Sequence, residues 1–468
     1  MLCAILRPVR TPLLAAVATL LLGGAACGDS SVLLRIEGEL TVPQQIDGIC
    51  LAVFDQNSSG GEFSQFYRLE GENSSLPQSL AVDPGQASSA LAVARGYAGG
   101  VEIDRAVVSF AFSGVDEVSL RLDGCGDGPR TSENVAVGTI PANAQVAVSF
   151  GRGGSLIVAI GAGTASALRA TGGSIEAAQT TLPAAPTAVP DQILAVDADG
   201  DCDDDLVLLS AGASPLFWRR DGDSFVEVAE TFTGVPAVSS AAAIDADADG
   251  DIDLVVGAAG ALFLLRNDGS GRFQIDSAAI PANAADDVTA LATGDIDGDG
   301  HADIIVGRGS ASATPMKVLV NDQSGTGFFE LSPAALPALP LRVRGLALVD
   351  VDGDADRDLV VASDNEHVRV YINRGGLLED RSFVTLPNVN AIGATSLAVA
   401  DWDDACLADI AVATGTETIL WPGGDAGTFR EDSTPPPAGR QVIAADLDDD
   451  GAVDLLVVGA SELTWVRR

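Results

Sequence analysis

The second half of the chain repeats short apolar stretches that are followed by acidic loops and then by longer apolar runs. The longer runs include DLVVG from Asp253, DIIVG from Asp303 and DLVVA from Asp358. They are apolar without alternation, so both faces of each strand are predicted to be buried. A third strand, a turn with glycine and a fourth strand complete each repeat. Four strands in a repeat of about 50 residues predict the blades of a β-propeller.

Six acidic loops based on the pattern D-x-D-x-D-x-x-x-D lie at intervals of 45 to 55 residues. We number them 1 to 6; they begin at Asp197, Asp245, Asp295, Asp350, Asp401 and Asp446. Carboxylates at alternate positions of a tight loop converge on one point, and Ca²⁺ accepts such oxygen ligands in irregular geometry. Five loops are complete and predict five calcium sites. Their candidate ligands, at the first, third, fifth and ninth positions, are Asp197, Asp199, Asp201, Asp205, Asp245, Asp247, Asp249, Asp253, Asp295, Asp297, Asp299, Asp303, Asp350, Asp352, Asp354, Asp358, Asp446, Asp448, Asp450 and Asp454.

Loop 5 is incomplete. It keeps Asp401, Asp403 and Asp409, but Ala405 stands in the fifth position. It is therefore a sixth candidate calcium site with one carboxylate fewer than the others.

Three other interpretations compete with calcium loops. An EF-hand needs a Glu at the twelfth position and flanking helices, whereas the twelfth positions here are apolar and lie in predicted strands. These residues are Leu208, Val256, Val306, Val361, Val412 and Val457. A nonapeptide calcium roll would repeat about every nine residues. Solvated acidic turns without a metal are the third alternative, but repulsion among the carboxylates would oppose their folding.

Loops of the form D-x-D-x-D-G-x-x-D followed by Leu or Ile resemble those of the FG-GAP/VCBS repeat family. This family is best known from the propeller at the head of integrin alpha subunits. Loop 3, with Asp295, Asp297, Asp299 and Asp303, matches the pattern at each position. The resemblance covers most of the chain and implies an extracellular, calcium-binding β-propeller. The motif is specific for fold and metal but only weakly specific for function.

Seven blades are predicted, six with acidic loops and one without. The last repeat ends after its third strand, so its fourth strand must come from elsewhere in the chain. Residues 140–144 repeat the pentapeptide IPANA of residues 280–284, which lies between an outer and an inner strand. By this alignment the preceding segment ENVAVGT completes the last blade, and residues 151–154 form a shortened turn in place of an acidic loop. Joining the two ends closes the ring and pairs its strand edges.

Residues 32–125 alternate apolar and polar side chains. In SVLLRIEGELTV, for example, one side is predicted to carry Leu34, Ile36, Leu40 and Val42, and the other side Arg35, Glu37 and Glu39. About seven such runs predict a small antiparallel β-sandwich. A linker at residues 126–133 and the propeller at residues 134–468 follow. The chain is thus predicted to be all-β.

The N-terminus predicts export and lipid anchoring. Basic residues precede an apolar core at residues 13–22 that is too short to span a bilayer. Small residues then lead to Cys27, as in a bacterial lipobox, although ordinary cleavage with an incidental cysteine is an alternative. Residues 1–26 are the predicted signal peptide, and residues 27–31 are the anchor and tether. The protein is expected in the cell envelope as a membrane-anchored lipoprotein, either periplasmic or exposed at the surface.

The remaining cysteines predict one disulfide. Cys50 and Cys125 lie near opposite ends of the predicted sandwich, in an oxidising compartment, so they are expected to pair. Cys202 and Cys406 each occupy the sixth position of an acidic loop, but in blades that are not adjacent. These two are expected to be small loop residues rather than partners in a disulfide.

A net charge of −40 and a single lysine, Lys317, argue against nucleic acid as a partner. Much of the negative charge belongs to the candidate calcium ligands, so the metal-bound protein would be considerably less acidic. The predicted membrane contact is the N-terminal lipid, and a monomer is expected.

The sequence favours a binding module over an enzyme. It contains two histidines and no recognisable nucleophile elbow, metalloprotease motif or phosphate loop. A carboxylate-based hydrolase is a less favoured alternative, since spacing alone does not show which carboxylates converge. By the family resemblance, the leading hypothesis is an adhesion-type module that binds an extracellular protein or glycan. A scaffold subunit of an envelope complex, without a ligand of its own, is the other alternative.

The ligand is expected on the face opposite the acidic loops. These loops join strands one and two of each blade, so the connections between strands two and three, and those between blades, leave at the other face. Both kinds of connection on that face vary in length and composition on a repeating framework, as variable binding loops do. Simple connectors are the alternative interpretation. Arg308 and Glu366 are the candidate contact residues on this face.

Overall fold

The structure is a computed structural model. It describes residues 3–8, 32–37, 48–55, 62–68, 78–83, 89–98, 101–111, 117–121, 133–151, 154–229, 231–258, 260–281, 287–310, 316–322, 327–330, 336, 340–354, 356–387, 392–402, 407–424, 427–432, 434–448 and 453–467. The chain divides into two compact units, residues 1–98 with 102–124 and residues 99–101 with 125–468.

Eight strands precede the propeller. They are β1 (Cys3–Pro8), β2 (Val32–Glu37), β3 (Gly48–Asp55), β4 (Glu62–Arg68), β5 (Gln78–Asp83), β6 (Ser89–Ala98), β7 (Val101–Ala111) and β8 (Glu117–Arg121). They form two four-stranded sheets, in the orders β1-β5-β2-β8 and β4-β3-β6-β7. The pair β2–β8 is parallel, whereas β3 is antiparallel to both of its neighbours.

Alternate residues of β2, β3 and β6 are buried, as the sequence predicts. Val32, Leu34 and Ile36 of β2 are at most 1% exposed, whereas Arg35 between them is partly exposed. Alternate residues of β3 and β6 are buried in the same way. The packing of the two sheets as a sandwich, and its boundaries, stay predictions.

Several predictions for the N-terminal region fall on residues outside the described ranges. They concern the apolar core at residues 13–22, the lipid-bearing Cys27, and Cys125 as the disulfide partner of Cys50. Strand β1 falls within the predicted signal peptide and pairs with β5. Among the described residues, no helix is both long and apolar enough to cross a membrane.

The second unit contains seven blades. Its strands are β9 (Glu133–Thr139), β10 (Gln145–Ser149), β11 (Leu156–Gly161), β12 (Thr164–Thr171), β13 (Ser174–Ala177), β14 (Gln192–Val196), β15 (Asp205–Ser210), β16 (Ala213–Asp221), β17 (Ser224–Glu227), β18 (Ser240–Ile244), β19 (Asp253–Ala258), β20 (Ala261–Asn267), β21 (Phe273–Asp276), β22 (Val288–Gly294), β23 (Asp303–Arg308), β24 (Met316–Asn321), β25 (Phe328–Glu330), β26 (Val343–Val349), β27 (Asp358–Ser363), β28 (Arg369–Asn373), β29 (Leu378–Asp380), β30 (Ser396–Ala400), β31 (Asp409–Ala413), β32 (Thr418–Trp421), β33 (Gly423–Gly424), β34 (Thr428–Phe429), β35 (Gln441–Ala445), β36 (Asp454–Val458) and β37 (Glu462–Arg467). One short helix, α1 (Ser382–Thr385), follows β29.

Blades 1 to 5 are four-stranded sheets of consecutive strands, from β10–β13 to β26–β29. Blade 6 is divided into a three-stranded sheet, β30–β32, and the pair β33–β34. Blade 7 consists of β35, β36, β37 and β9. Blade 1 has the shortened turn, and loops 1 to 6 belong to blades 2 to 7.

Strand β9 closes the ring. It pairs antiparallel with β37, from Thr139 opposite Glu462 to Glu133 opposite Arg467. This strand is the segment ENVAVGT, so the predicted completion of the last blade is confirmed. The seven-bladed β-propeller is confirmed with it.

The second strands of the blades carry the core. β11, β23, β27, β31 and β36 are buried at every position, as their uninterrupted apolar runs predict. The buried side chains form seven clusters, one at each junction between neighbouring blades. Apolar burial between sheets therefore stabilises the whole ring, including the junction of blades 7 and 1.

Candidate metal centres

Loops 1 to 4 fold around the carboxylate of the aspartate at their first position. In loop 3, Asp295 Oδ1 accepts hydrogen bonds from the backbone N–H of Gly298 (2.7 Å) and Asp299 (3.2 Å), and Oδ2 accepts one from Gly300 (2.8 Å). Gly298 and Gly300 have φ of 79° and 87°, a left-handed conformation that glycine adopts without steric cost. Loops 1 and 2 make similar bonds to Asp197 and Asp245. This turn directs the later carboxylates of the loop toward the first.

Carboxylate oxygens of three aspartates come together in each complete loop, within 4.8 Å of one another. In loops 1 to 3 they belong to the first, third and fifth positions, and in loops 4 and 6 to the first, third and ninth. The groups are Asp197, Asp199 and Asp201; Asp245, Asp247 and Asp249; Asp295, Asp297 and Asp299; Asp350, Asp352 and Asp358; and Asp446, Asp448 and Asp454. Three of the four predicted ligands of each complete loop are thus neighbours.

The aspartate at the ninth position connects its loop to the third strand of the blade through hydrogen bonds. Asp303 accepts hydrogen bonds from the backbone N–H of Ile296 at Oδ2 (2.9 Å) and of Asn321 at Oδ1 (2.8 Å). The same two bonds, of 2.6 to 3.3 Å, recur at Asp205, Asp253, Asp358 and Asp409. The sequence pattern suggested a metal ligand at this position and did not reveal this structural role.

Burial raises the pKa of the aspartates at the ninth position of the loops. Desolvation raises the pKa of Asp253 and Asp454 to about 7, that of Asp303 to about 8 and that of Asp358 to about 6. The pKa of Asp205 is also well above its ordinary value, chiefly through burial and then through Asp199. Backbone N–H donors oppose the rise but do not offset it. These carboxylates therefore carry a desolvation cost that a nearby cation would reduce.

The aspartates at the third position of loops 1 and 4 give the most direct signal for a cation. Burial, followed by the neighbouring Asp201, raises the pKa of Asp199 to about 6. Among the described residues, Asp199 Oδ1 and Asp352 Oδ1 are buried without a hydrogen-bond partner. Each lies in a three-carboxylate group, where a buried oxygen without a donor is costly. A donor set made only of hard oxygen atoms fits a hard cation such as Ca²⁺.

In loops 5 and 6 a candidate ligand lies outside the described residues. In loop 5, Asp409 accepts its two backbone bonds from Trp402 (3.0 Å) and Gly423 (2.6 Å). Asp403 of that loop lies outside the described residues, so its candidate site stays a prediction. In loop 6, Asp450 lies outside them as well.

An asparagine at the end of the third strand bridges successive loops. The side-chain amide of Asn321 donates to Ala246 O in loop 2 (2.9 Å) and to Ala302 O in loop 3 (3.3 Å). Asn267 links loops 1 and 2 in this way, and Asn373 links loops 3 and 4. Loops 1 to 4 are thereby connected in series. The only signal in the sequence is the Asn that ends LFLLRN, KVLVN and VRVYIN.

Blade 2 has Arg220 in place of this asparagine. Its backbone N–H donates to Asp205 Oδ1 (2.7 Å), and its guanidinium donates to Ser149 O (2.6 Å) and Gly154 O (2.7 Å) beside the shortened turn of blade 1. Arg220 is 1% exposed. A Cβ at Gly151 would lie 2.5 Å from its Cζ, so only glycine leaves room for the guanidinium. A cation of the protein thus links loop 1 of blade 2 to the shortened turn of blade 1, the blade that has no acidic loop.

Cys202 in loop 1 differs from the prediction. It is disulfide-bonded, so its interpretation as a small loop residue outside any disulfide is wrong. The loop holds it in a left-handed conformation with φ of 68°, and its N–H donates to Asp197 Oδ2 (2.9 Å). Sequence separation could not show which cysteine the fold brings near it. Cys406 lies outside the described residues.

The two candidate contact residues opposite the loops differ in exposure. Arg308, in β23, is 6% exposed, so its prediction as a surface contact is wrong. The side chain of Glu366 is 42% exposed and lies 3.6 Å from Arg369. Arg342 is also exposed near Glu366, and its backbone N–H donates to Asn365 (2.7 Å). This edge of blade 5 is accessible to a ligand.

Many solved structures resemble the chain at low sequence identity, and a lectin and an extracellular domain are two of them. An Agrocybe aegerita lectin, studied for specific recognition of non-reducing terminal N-acetylglucosamine, is 16% identical over 70% of this chain and 86% of its own, with a TM-score of 0.47. The extracellular domain of a one-component system from B. thetaiotaomicron is 12% identical over 72% of this chain and 40% of its own, with a TM-score of 0.46. Likenesses this distant carry no conclusion about function.

Family comparisons identify the repeats. A model described as an FG-GAP-like repeat matches residues 197–256, 245–306 and 350–412, and one described as an FG-GAP repeat matches residues 288–327. No curated protein has a sequence that matches the chain significantly. The matched segments contain loops 1 to 5, and their strands form blades of the seven-bladed ring. The chain therefore contains FG-GAP repeats, and these matches together with the seven blades support an integrin-alpha-like FG-GAP β-propeller.

Proposed function

We propose that loops 1, 2, 3, 4 and 6 bind calcium and that loop 5 is a sixth, weaker candidate. The observation that carries this proposal is the buried Oδ1 atom of Asp199 and of Asp352, which lacks a hydrogen-bond donor inside a three-carboxylate group. The aspartates at the first, third, fifth and ninth positions would hold the ion. A divalent cation would offset both the repulsion among these groups and their loss of solvation.

Calcium binding can be counted directly. Equilibrium dialysis of the full chain at about 10 mM free calcium should give about five ions per chain, because extracellular modules bind with Kd of about 0.1–1 mM and would then be nearly saturated. Asp297→Asn should remove one ion. Asp268→Asn, on an exposed turn outside the loops, is the matched control and should leave the number unchanged. A chain that retains no calcium under these conditions would contradict the proposal.

We also propose that the propeller is an adhesion-type module that takes an extracellular protein or glycan on the face opposite the loops. FG-GAP repeat proteins are usually extracellular, which supports this assignment. The accessible edge around Arg342 and Glu366 supplies both charges for recognition. Calcium would act by holding the scaffold and would not touch the ligand. Binding, rather than catalysis, is the proposed activity.

The ligand proposal is tested with immobilised mature protein and an envelope extract, with and without chelator. A protein or glycan should be retained only with calcium. The double variant Arg342→Glu, Glu366→Lys should weaken retention without changing the melting temperature. Arg272→Glu, an exposed change on the loop face, is the control and should retain the ligand normally. Retention of nothing in any arm would favour the alternative, a scaffold subunit without a ligand of its own.

We propose that the protein is exported and held at the envelope by a lipid on Cys27. Small residues before this cysteine and the short apolar core of residues 13–22 support the proposal. Cys27→Ser should move the protein from the membrane fraction to the soluble fraction. Mass spectrometry that finds a mature N-terminus other than Cys27 would contradict it.

A further inference from the structure

Loop 4 differs from loops 1 to 3 because the aspartate at its fifth position, Asp354, is absent from the three-carboxylate group. Asp354 instead contacts Arg374, whose Nη1 lies 2.5 Å from Asp354 Oδ2. Nη2 of the same guanidinium lies 2.9 Å from Asp352 Oδ2. One arginine therefore holds the carboxylates of the third and fifth positions.

Loop 2 contains a similar contact with Arg266. Its Nη1 lies 3.1 Å from both Asp247 Oδ2 and Asp253 Oδ2, at the third and ninth positions. Its Nε lies 3.6 Å from Asp276 Oδ2, a carboxylate outside the loop that helps to hold the side chain in place. The Arg266 side chain is 17% exposed, so these contacts are only partly screened by water.

The two arginines flank the asparagines that bridge the loops. Arg266 directly precedes Asn267, and Arg374 directly follows Asn373. Beside the third bridging asparagine, which serves loop 3, the corresponding residues are Val320 and Asp322. Loops 2, 3 and 4 therefore have the same candidate ligands, but only loops 2 and 4 receive a guanidinium from the third strand.

We propose that Arg266 and Arg374 compete with calcium for loops 2 and 4, so that these loops bind calcium more weakly than loop 3. The inference rests on the proposed calcium binding by the loops. Carboxylate oxygens must approach calcium to about 2.3–2.6 Å. An oxygen that coordinates the ion makes a weaker charge-assisted hydrogen bond to a guanidinium. Calcium binding must therefore weaken two such contacts in each of loops 2 and 4, and loop 3 should fill first as calcium rises.

The test measures the calcium midpoint of each loop separately. Hydrogen exchange of the full chain is followed by mass spectrometry over a range of free calcium, and peptides from loops 2, 3 and 4 report three midpoints. In the unchanged protein, loop 3 should gain protection at the lowest calcium. Arg374→Gln should lower the loop 4 midpoint by about threefold to tenfold, and Arg266→Gln should do the same for loop 2. The loop 3 midpoint should stay within about twofold.

Matched controls separate contact from general charge. Arg272→Gln in blade 3 and Arg381→Gln in blade 5 each remove one positive charge from an exposed arginine that makes no salt bridge to a loop carboxylate among the described residues. Neither should move a midpoint by more than about twofold. Arg374→Lys keeps the charge but loses the planar fork, so the loop 4 midpoint should fall between the parent and Arg374→Gln.

Two results would overturn the inference, and they are distinguishable. If loops 2 and 4 bind calcium but their midpoints stay constant or rise in the glutamine variants, the arginines position the ligands instead of competing with the ion. If no loop gains protection from calcium in any variant, the proposed calcium binding fails and the inference fails with it.

Discussion

Neighbouring blades are joined by different side chains at different junctions. The junction of blades 1 and 2 uses an arginine, and each of the next three junctions uses an asparagine. Between blades 2 and 5, the amide of Asn267, Asn321 or Asn373 joins two acidic loops. Between blades 1 and 2, the guanidinium of Arg220 joins its blade to the shortened turn. In each case the backbone N–H of the same residue donates to the aspartate at the ninth position of the loop in its own blade. The backbone geometry is shared, and the source of positive charge differs.

At the junction of blades 1 and 2, the arginine junction, nearby acidic side chains offset the cost of burying the Arg220 guanidinium. Burial lowers the pKa of Arg220, and the nearby Asp203 and Asp204 oppose that change. The carbonyl groups of Ser149 and Gly154 accept its hydrogen bonds. The acidic junctions instead contain carboxylates with raised pKa and buried oxygens without donors. On the proposed function, the blade 1 side of the first junction needs no metal, whereas each of the next three junctions lies between two calcium loops, so calcium removal should weaken the ring unevenly.

Calcium removal should have the largest effect. With Kd near 0.1 mM and about 1 mM calcium, each site adds about 1.4 kcal/mol to the free energy of unfolding, and five sites add roughly 7 kcal/mol. This is comparable to the roughly 5–15 kcal/mol of a typical domain. Chelation should therefore lower the melting temperature of the propeller sharply, as measured by calorimetry. An unchanged melting curve would contradict calcium binding.

The position of the loss sharpens this prediction. In chelator, hydrogen exchange should accelerate most in loops 1 to 4 and in loop 6, whereas strands β10 and β11 of blade 1 should keep most of their protection. Equal acceleration in all blades would mean that the arginine junction is not independent of the metal.

Removal of the buried arginine should have the next largest effect. Arg220→Met keeps much of the side-chain volume but leaves Asp203 and Asp204 without their buried cation. Breaking a buried charge network in this way costs about 3–5 kcal/mol. Excess calcium should not restore the loss, because the lost hydrogen bonds to Ser149 O and Gly154 O lie beside the shortened turn of blade 1, which has no acidic loop. Arg219→Met, at the exposed neighbouring position, is the control and should change stability by less than about 0.5 kcal/mol in urea unfolding. Rescue by calcium would remove the distinction between the two kinds of junction.

The blades and the grouping of the loop carboxylates could be predicted because their signals are local. The aspartates of one loop lie within nine residues, so a tight turn alone brings Asp295, Asp297 and Asp299 together. Uninterrupted apolar runs likewise identify strands buried on both faces. The fourth strand of blade 7 was a distant pairing, but an internal repeat of five residues revealed it.

The bridges between blades could not be predicted, because each depends on one residue and a distant partner. Asn321 contacts Ala246, 75 residues away, and Arg220 contacts Ser149, 71 residues away. Neither contact leaves a periodic pattern in the sequence. The withdrawal of Asp354 by Arg374 depends on the direction of one side chain, which spacing does not give. The disulfide bond of Cys202 was missed for the same reason.

Without calcium, stability should depend on pH in the opposite direction from the calcium-bound protein. The pKa values of Asp253, Asp303, Asp358 and Asp454 are raised to about 6–8 in the fold, against about 3.9 in the unfolded chain. Between these values the folded state binds more protons, so the free energy of unfolding falls as pH rises from about 4 to 8. Calcium needs the ionised carboxylates, so calcium-bound stability should rise over the same range. Melting temperatures at pH 5, 6, 7 and 8 would check this, and parallel trends with and without calcium would contradict it.

The smallest expected effect concerns one uncharged bridge. Asn321→Ala leaves Ala246 O and Ala302 O without their amide donor, which should cost about 1–3 kcal/mol in urea unfolding at saturating calcium. Asn365→Ala is the control, since its exposed amide donates to Pro340 O on the opposite face and should contribute less than about 0.5 kcal/mol.

A double-mutant cycle between Asn321→Ala and Asp297→Asn shows whether this bridge transmits the state of a loop to its neighbour. The two residues serve the same loop, so coupling of about 0.5–3 kcal/mol is expected. The cycle of Arg220→Met with Asp297→Asn should show coupling below about 0.5 kcal/mol, because that junction contains no part of loop 3. Equal coupling in both cycles would mean that the asparagine bridges do not connect the loops, and that the ring responds to loop 3 only as a whole.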